Sequence, residues 1–247
     1  MVRREELVLP RWPAALDGLR VGVITDLHAG MPHAGLDAVE RAAEVLAAER
    51  PDVVCLLGDV IDRRSVFARP VDAAALMARL APLRAAPRGV FAVLGNHDWY
   101  AGARRIADAL TDGGTTVLED SAAPAGDGLW VAGVGDYQSR GARVDRALAV
   151  VPDDAPVLLL SHNPDAFPFV PERVALTLAG HTHGGQVGIP LLRRPFVPSY
   201  YGERYLHGHI VDGDRHLHVS SGIGTAGAPV RFLRPPEVVT LTLRAPS

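Results

Sequence analysis

The sequence contains one cysteine, no lysine and no long hydrophobic run. Cys55 has no second cysteine to pair with, so an intrachain disulfide framework is excluded, and its apolar neighbours predict a buried, inert thiol. The first residues lack the apolar stretch of a signal peptide, and no segment approaches the ~20 apolar residues that cross a membrane. We therefore expect a soluble, cytoplasmic chain, and an envelope location stays open if a targeting segment was removed.

Neither sign of charge is in large excess. The 247 residues include 25 basic side chains, all of them Arg, and 28 acidic ones, which gives a formal net charge of −3. A protein that binds nucleic acid or an anionic membrane non-specifically needs a strong positive field, so both are disfavoured as general partners. We expect a small substrate, no specific nucleic-acid binding and no transmembrane segment. Peripheral membrane contact and the oligomeric state stay open.

Short apolar runs rich in β-branched residues predict buried strands. They span residues 19–25, 53–57, 90–94, 116–118, 129–134, 157–160, 174–178, 206–211, 216–220 and 238–243. Amphipathic segments predict helices over residues 36–50, 72–85 and 103–112. The alternation of strands and helices predicts an α/β fold with helices on a mixed β core. Hydrophobic residues make up 48% of the chain, enough for the core of a single domain over residues 1–247.

Polar side chains follow five of the predicted strands. In strand order they are Asp26 and His28; Asp59 and Asp62; Asn96, His97 and Asp98; His162; and His181 and His183. Each has an ordinary alternative, such as a turn residue, a helix cap or a loop histidine. Because sites in open α/β sheets form at the carboxyl ends of strands, the recurrence at five such ends argues for a shared site.

The number of candidate ligands indicates two metal ions rather than one. The set of Asp26, His28, Asp59, Asn96, His162, His181 and His183 is too large for one tetrahedral ion. It suits two ions ~3.5–4 Å apart with a bridging carboxylate, the arrangement used in phosphoryl hydrolysis. Oxygen and imidazole donors without Cys admit Mn, Zn, Fe or Co.

The five blocks resemble the motifs of the calcineurin-like metallophosphoesterases. The pattern D-x-H, G-D, G-N-H-D, H and G-H-x-H is present in this order, from Asp26 to His183. The resemblance implies that family's four-layer α/β/β/α sandwich, in which two mixed β sheets are flanked by helices (the metallo-dependent phosphatase fold). It also implies hydrolysis of a phosphoester by attack of a metal-activated water.

The resemblance also implies a role for each side chain. It assigns Asp26, His28 and His183 to the first ion, Asn96, His162 and His181 to the second, and Asp59 to both. His97 corresponds to the family's catalytic histidine, which stabilises the transition state or protonates the leaving oxygen.

Asp62 and Arg63 belong to a further block, "GDVIDR", that resembles the phosphoprotein phosphatases. By that analogy Asp62 orients His97 and Arg63 faces the substrate. The alternatives are that Asp62 caps a helix and that Arg63 is solvated. Asp98 is a second candidate for steadying the loop that carries His97, and the sequence does not choose between the two carboxylates.

Other segments resemble a bacterial branch of small phosphodiesterases within that family. They are "SHNPD", "GHTHGGQ" and residues 220–237, where Arg231 is a candidate anion contact. That branch implies hydrolysis of a phosphodiester. It also includes a pyrophosphatase that acts on UDP-2,3-diacylglucosamine, which is the enzymatic alternative. A non-catalytic interaction protein on the same fold is disfavoured, because its ligands would not have been retained.

Substrate specificity is expected to lie in the loops. Trp99 and Tyr100 follow the catalytic block, and residues 184–204 carry Arg193, Arg194, Phe196, Tyr200 and Tyr201. This second segment can hold a nucleotide ring, an acyl chain or a membrane surface, or be a mobile surface loop. Four alternating histidines, His207, His209, His216 and His218, are interpreted as an exposed strand face rather than a further metal site.

Overall fold

Two six-stranded sheets form the centre of the protein. The computed structural model describes residues 1–189 and 197–246. The strands of the first sheet are β1 (Val2–Val8), β2 (Leu19–Ile24), β3 (Val53–Leu56), β4 (Val90–Ala92), β5 (Thr116–Val117) and β12 (Val238–Arg244). Those of the second sheet are β6 (Ser121–Pro124), β7 (Trp130–Gly133), β8 (Val157–Leu160), β9 (Leu176–Ala179), β10 (Gly208–Asp212) and β11 (Arg215–Val219).

Both sheets are mixed, with parallel strands at their centres. The strand orders are β1-β12-β2-β3-β4-β5 and β10-β11-β9-β8-β7-β6. Strands β2 to β5 are parallel to one another, as are β7 to β9, whereas β12 with β2, β6 with β7 and β10 with β11 are antiparallel. The parallel strands β3 and β8 are buried along their whole length, which explains why they read as continuous apolar runs.

The helices cover the outer faces of the sheets. On the first sheet these are α1 (Leu36–Ala48), α2 (Ala73–Arg79) and α3 (Asn96–Asp112). Helix α1 buries Val39, Ala43 and Leu46, whose spacing puts them on one helical face. The second sheet is covered more thinly, by α4 (Val144–Leu148) and a 3-10 turn at Pro164–Phe169. The predicted sandwich of two mixed β sheets flanked by helices is confirmed.

The main core lies between the two sheets. Val23, Cys55 and Leu57 from the first sheet pack in the same cluster as Leu160 and Leu178 from the second. Burial raises the pKa of the Cys55 thiol, which agrees with the predicted inert side chain. No helix in the described ranges combines the length and apolar character that crossing a membrane requires.

Some elements differ from the sequence-based prediction. Strand β1 was missed because its segment, "VRREELV", is charged, yet it pairs in register with β12. The helix predicted over residues 72–85 divides into α2 and a 3-10 turn at Ala81–Ala85, where Pro82 lacks an N–H to continue the ladder. Helix α3 begins at Asn96 rather than near residue 103, with a non-helical kink at Gly102.

The interpretation of the four histidines as an exposed strand face was wrong for His216 and His218, which are buried. Strand β11 lies between β10 and β9, so it is not an edge strand, and its His218 approaches Glu5 of β1 at 3.4 Å. His209 Nε2 is 3.0 Å from His216 Nδ1. Packing of β11 between its two neighbouring strands thus replaces the solvent that the alternating pattern had suggested.

Candidate metal centre

The five sequence blocks converge where the carboxyl ends of the two sheets' parallel strands meet. All seven candidate ligands are buried there: Asp26, His28, Asp59, Asn96, His162, His181 and His183. Five of them have left-handed backbone conformations, with φ between 44° and 67°: Asp26, His28, Asp59, His181 and His183. Each such residue costs roughly 1–3 kcal/mol, and strain of this kind concentrates at functional sites.

One group of potential ligands comes from β2 and β9. Asp26, His28 and His183 each offer an atom within 4.8 Å of the others. His28 Nε2 is 3.1 Å from His183 Nε2, and His183 Nε2 is 3.5 Å from Asp26 Oδ1. The structure therefore brings together the three residues that the sequence analysis grouped on a first ion.

A second group comes from β3, β4, β8 and β9. Asp59, His162 and His181 again offer atoms within 4.8 Å of one another. His162 Nε2 is 3.0 Å from His181 Nδ1 and 3.1 Å from Asn96 Oδ1. His162 Nδ1 donates to the backbone carbonyl of Leu57 at 2.8 Å, which leaves Nε2 as the atom that faces the group.

Asp59 lies between the two groups. Its Oδ2 is 3.4 Å from His28 Nε2 and 3.3 Å from His162 Nε2. Its Oδ1 accepts a hydrogen bond from the backbone N–H of His97 at 2.8 Å, which fixes the carboxylate in this position. One carboxylate can therefore contact both groups at once.

Glycines allow the strand ends to approach this closely. A Cβ atom on Gly95 would overlap the Asp59 carboxylate, and a Cβ atom on Gly180 would overlap Thr25 Oγ1 and the Asp26 carboxylate. The glycine that precedes Asn96 and the one that precedes His181 are thus required by close packing of backbone against a ligand side chain.

Electrostatics favour cations in both groups. Burial acts to raise the pKa of Asp26 and Asp59, but neighbouring imidazoles outweigh it and hold both values below the usual range. Burial lowers the pKa of His183 to about 3 and that of His181 to about 4. Both rings are therefore neutral, the state in which imidazole binds a metal. The cluster of carboxylates and imidazoles can bind two divalent cations, because a cation at each group would relieve the close approach of lone pairs.

His97 and Asp62 stand next to this cluster. The His97 ring is 4.6 Å from the His28 ring, and its side chain is 11% exposed. Asp62 Oδ2 is 3.1 Å from His28 Nδ1 and 3.2 Å from His97 Nδ1, the second contact without the alignment of a hydrogen bond. His97 also forms a third close group with His28 and Asp59.

The Asp98 carboxylate is bound by backbone N–H groups. Its carboxylate accepts hydrogen bonds from the backbone N–H groups of Val60 and Gly95, both at 2.9 Å, and of Ile61 at 3.3 Å. Burial and the charge of Asp59 raise the pKa of Asp98 to about 6. Asp98 thus joins the loop after β3 to the start of α3.

The two arginines that were predicted to contact substrate, Arg63 and Arg231, lie in different environments. Arg63 is exposed on the loop after β3. Arg231 is partly buried: it donates to the carbonyls of Gly224 and Ser221 at 2.7 and 2.6 Å, and its Nη2 lies 3.2 Å from His183 Nδ1. Burial lowers the pKa of Arg231 to about 10. Arg231 therefore contacts the Nδ1 side of His183, the side opposite the Nε2 atom that faces the first group.

The predicted specificity loops are partly described. Arg64 stacks over the Tyr100 ring at 4.2 Å, and Arg140 lies over the Trp99 ring at 5.0 Å. Tyr200 is exposed, and its backbone N–H donates to Asp165 at 2.8 Å. Arg193, Arg194 and Phe196 lie outside the described residues.

One buried carboxylate next to the cluster was not predicted. Asp136 follows β7 and is fully buried. The signal that could have revealed it is the same as for the other residues, a polar side chain that closes an apolar strand in "VAGVGD".

Comparisons with known proteins found similar sequences and a similar solved structure. The sequence profile of the calcineurin-like phosphoesterase family matches residues 19–212. An uncharacterized metallophosphoesterase from Aquifex aeolicus is 35% identical over 230 residues, which cover 89% of this chain and 83% of that protein. Phosphodiesterase YaeI from Escherichia coli is 32% identical over 216 residues, covering 84% and 76%. A solved dimetal phosphatase from Danio rerio superimposes with a TM-score of 0.48 at 16% identity, over 82% of this chain and 87% of that chain.

Proposed function

The chain belongs to the calcineurin-like phosphoesterase family, and from that premise we propose that it is a dinuclear metal phosphodiesterase with a small substrate. Membership makes it a phosphoester hydrolase. The choice of a diester is supported by its similarity to phosphodiesterase YaeI, which carries that activity in its name.

The observation that carries the proposal is the position of Asp59 between two groups of ligands. In the proposed centre, Asp26, His28 and His183 would hold one ion, Asn96, His162 and His181 would hold the other, and Asp59 would help to hold both. The ions, when bound, would lower the pKa of the attacking water and neutralise charge on the phosphoryl oxygens.

His97 is proposed to assist departure of the leaving group. Asp62 Oδ2, 3.2 Å from Nδ1, would hold a proton on that side of the ring and stabilise the charged imidazolium. Nε2 would then donate a hydrogen bond to the oxygen on which negative charge develops. The His97 ring is next to His28, a candidate ligand. The positive charge of His97 would therefore act close to the phosphoryl group that the ions would bind.

The catalytic unit is proposed to extend over the whole chain, residues 1–247. Asp26, Asp59 and Asn96 come from the first sheet, whereas His162 and His181 come from the second. Neither sheet alone would contain a complete set of ligands, so the two must fold together for the site to form.

A second candidate activity is favoured by one pocket. Next to Arg231, an open cavity of about 340 Å³ is lined by Ile223, Pro229, Val230 and Pro236. An apolar cavity beside a phosphoesterase site fits an acyl chain, so hydrolysis of a UDP-sugar lipid such as UDP-2,3-diacylglucosamine is the alternative. Comparing kcat/KM for that lipid with kcat/KM for a bis-aryl phosphodiester separates the two.

The test of the proposed function is hydrolysis by metal-loaded protein. Wild-type protein reconstituted with Mn²⁺ should hydrolyse a bis-aryl phosphodiester. Asp59→Asn and His97→Ala should lose at least about 100-fold in kcat, the scale of one general acid or one charge-stabilising group. Circular dichroism should show that both variants remain folded. Near-normal turnover by both folded variants would refute the assigned roles.

A further inference from the structure

Asp136 is a buried carboxylate at the edge of the centre that none of the proposed ligand roles uses. Asp136 follows β7, which is parallel to β8, and β8 is in turn parallel to β9. His162 follows β8 and His181 follows β9, so all three residues lie at the same end of the second sheet. Its side chain is 0% exposed. Oδ2 accepts a hydrogen bond from the backbone N–H of Ser139 at 2.8 Å.

The other carboxylate oxygen has no hydrogen-bond partner among the described residues. Asp136 Oδ1 is buried and unpaired, and so are His181 Nε2 and Asn163 Nδ2. An unpaired buried polar atom is uncommon in a native fold and calls for a specific explanation. Here the three atoms belong to residues that follow three consecutive strands, and they are chemically complementary: one acceptor, one amide donor and one imidazole nitrogen.

The charge of Asp136 acts on the rings of both His181 and His162. The Asp136 carboxylate is therefore within electrostatic reach of both rings, as its place at the same sheet end indicates.

The geometry of His181 creates a need for such an acceptor. Its Nδ1 is 3.0 Å from His162 Nε2 and thus faces the second group of ligands. A neutral imidazole that binds an ion through Nδ1 carries its proton on Nε2. Histidines that bind metals generally donate this other N–H to a carboxylate, a carbonyl or a water, and the acceptor fixes the ring and its tautomer.

We propose that Asp136 is a positioning residue that accepts the hydrogen bond of His181 Nε2 through one water that the Asn163 amide also holds. The contact keeps Nδ1 directed at the second ion and disfavours the other tautomer. Asp136 therefore acts on the affinity and occupancy of the second ion and not on the first. This inference rests on the proposed dinuclear centre.

Metal binding by Asp136→Asn tests the proposal without an activity assay. Mn²⁺ titration followed by calorimetry should give two sites in the wild type. In Asp136→Asn, the dissociation constant of one site should rise by about 10–100-fold, the typical effect of losing such a partner. The other site should stay within about twofold. Asp136→Glu, which keeps a carboxylate, should recover part of the lost affinity.

A matched control is Asp120, which lies between β5 and β6 and binds the loop that carries Asp136. Asp120 Oδ1 accepts from the backbone N–H groups of Gly135 and Arg143 at 2.9 and 3.2 Å. Asp120→Asn makes the same chemical change close to Asp136, so it reports loop damage alone. It should leave both Mn²⁺ affinities unchanged. An equal loss in both variants would overturn the proposal, as would wild-type affinity at both sites of Asp136→Asn.

A second measurement uses only the wild-type protein. Nitrogen NMR of ¹⁵N-histidine-labelled, Zn²⁺-loaded protein should show the proton of His181 on Nε2. A proton on Nδ1 would overturn the proposal even if Asp136→Asn failed to fold. A wild-type protein that binds fewer than two ions would instead contradict the dinuclear centre, and this inference would fall with it.

Discussion

At the scale of single residues, two carboxylates next to His97 have different partners. Asp62 contacts two imidazole rings, those of His28 and His97, through its Oδ2. Among the described residues, the hydrogen bonds to the Asp98 carboxylate come from backbone N–H groups, those of Val60, Ile61 and Gly95. The sequence alone could not decide which carboxylate orients His97. Asp98 directly follows His97 in the chain, and Asp62 belongs to a motif that resembles one with this role. We therefore propose that Asp62, rather than Asp98, orients the ring.

Substituting the two carboxylates should give opposite results. Asp98→Ala leaves three buried N–H groups without an acceptor, so the free energy of unfolding should fall by about 3 kcal/mol. Asp62→Asn should keep most of that stability but lower kcat/KM by about 10–100-fold at saturating Mn²⁺. Urea denaturation and steady-state kinetics on both variants check this. If Asp98→Ala is stable and Asp62→Asn is fully active, the division of roles is incorrect.

At the scale of structural elements, the site depends on how each strand ends. The chain turns sharply after β2, β3 and β9, and the residues at these turns adopt left-handed conformations although they are not glycines. The neighbouring glycines make room for the side chains of the candidate ligands, as Gly180 does for Asp26. The strands therefore supply rigid supports, and the short turns aim the side chains.

Gly180→Ala tests the close approach between the ends of β9 and β2. The added methyl group would overlap Thr25 Oγ1 and the Asp26 carboxylate, so Asp26 must move. We expect Mn²⁺ affinity at the first site to fall at least about 10-fold, because ligand displacement of this kind is not tolerated in a close-packed interior.

Gly35→Ala is the matched control for that variant. Gly35 precedes α1 with φ of −72°, and a methyl group there would meet no atom within 4 Å. Isothermal titration with Mn²⁺ should give wild-type affinities for Gly35→Ala. If Gly180→Ala also binds normally, the turn after β9 is less constrained than its packing indicates.

At the scale of the whole molecule, polar bridges join the two sheets beside the apolar core. Glu237 precedes β12 of the first sheet, and its Oε1 accepts from the backbone N–H of Ser221, which follows β11, at 2.8 Å. The same oxygen lies 2.8 Å from Nε2 of His207, just before β10. Burial acts to raise the pKa of Glu237, but these partners outweigh it and lower the pKa to about 2.

The low pKa of Glu237 predicts a pH-dependent contribution to stability. Because the pKa is lower in the folded than in the unfolded chain, the contribution is complete above about pH 4.5 and is lost as the pH falls toward 2. Glu237→Gln should therefore lower the free energy of unfolding by about 1–3 kcal/mol at pH 7. Urea denaturation at several pH values should show this difference shrinking in acid. A difference that is constant down to pH 3 would contradict it.

The sequence predicted which candidate ligands lie together, but it did not predict every element of the fold around them. Candidate ligands such as Asp59 and His181 could be identified because each closes an apolar strand within a short block. Strand β1 could not be predicted, because its charged segment becomes a strand only through pairing with β12, more than 200 residues away. The burial of His218 likewise depends on β1 packing against the second sheet. Such long-range contacts leave no periodic pattern in the segments they join.

Diffraction at the manganese absorption edge, from wild-type crystals grown with Mn²⁺, tests the central claim most directly. The dinuclear centre predicts two anomalous peaks ~3.5–4 Å apart, one on each side of Asp59. The first should be bounded by Asp26, His28 and His183 and the second by Asn96, His162 and His181. A single peak, or peaks away from the Asp59 carboxylate, would contradict the claim.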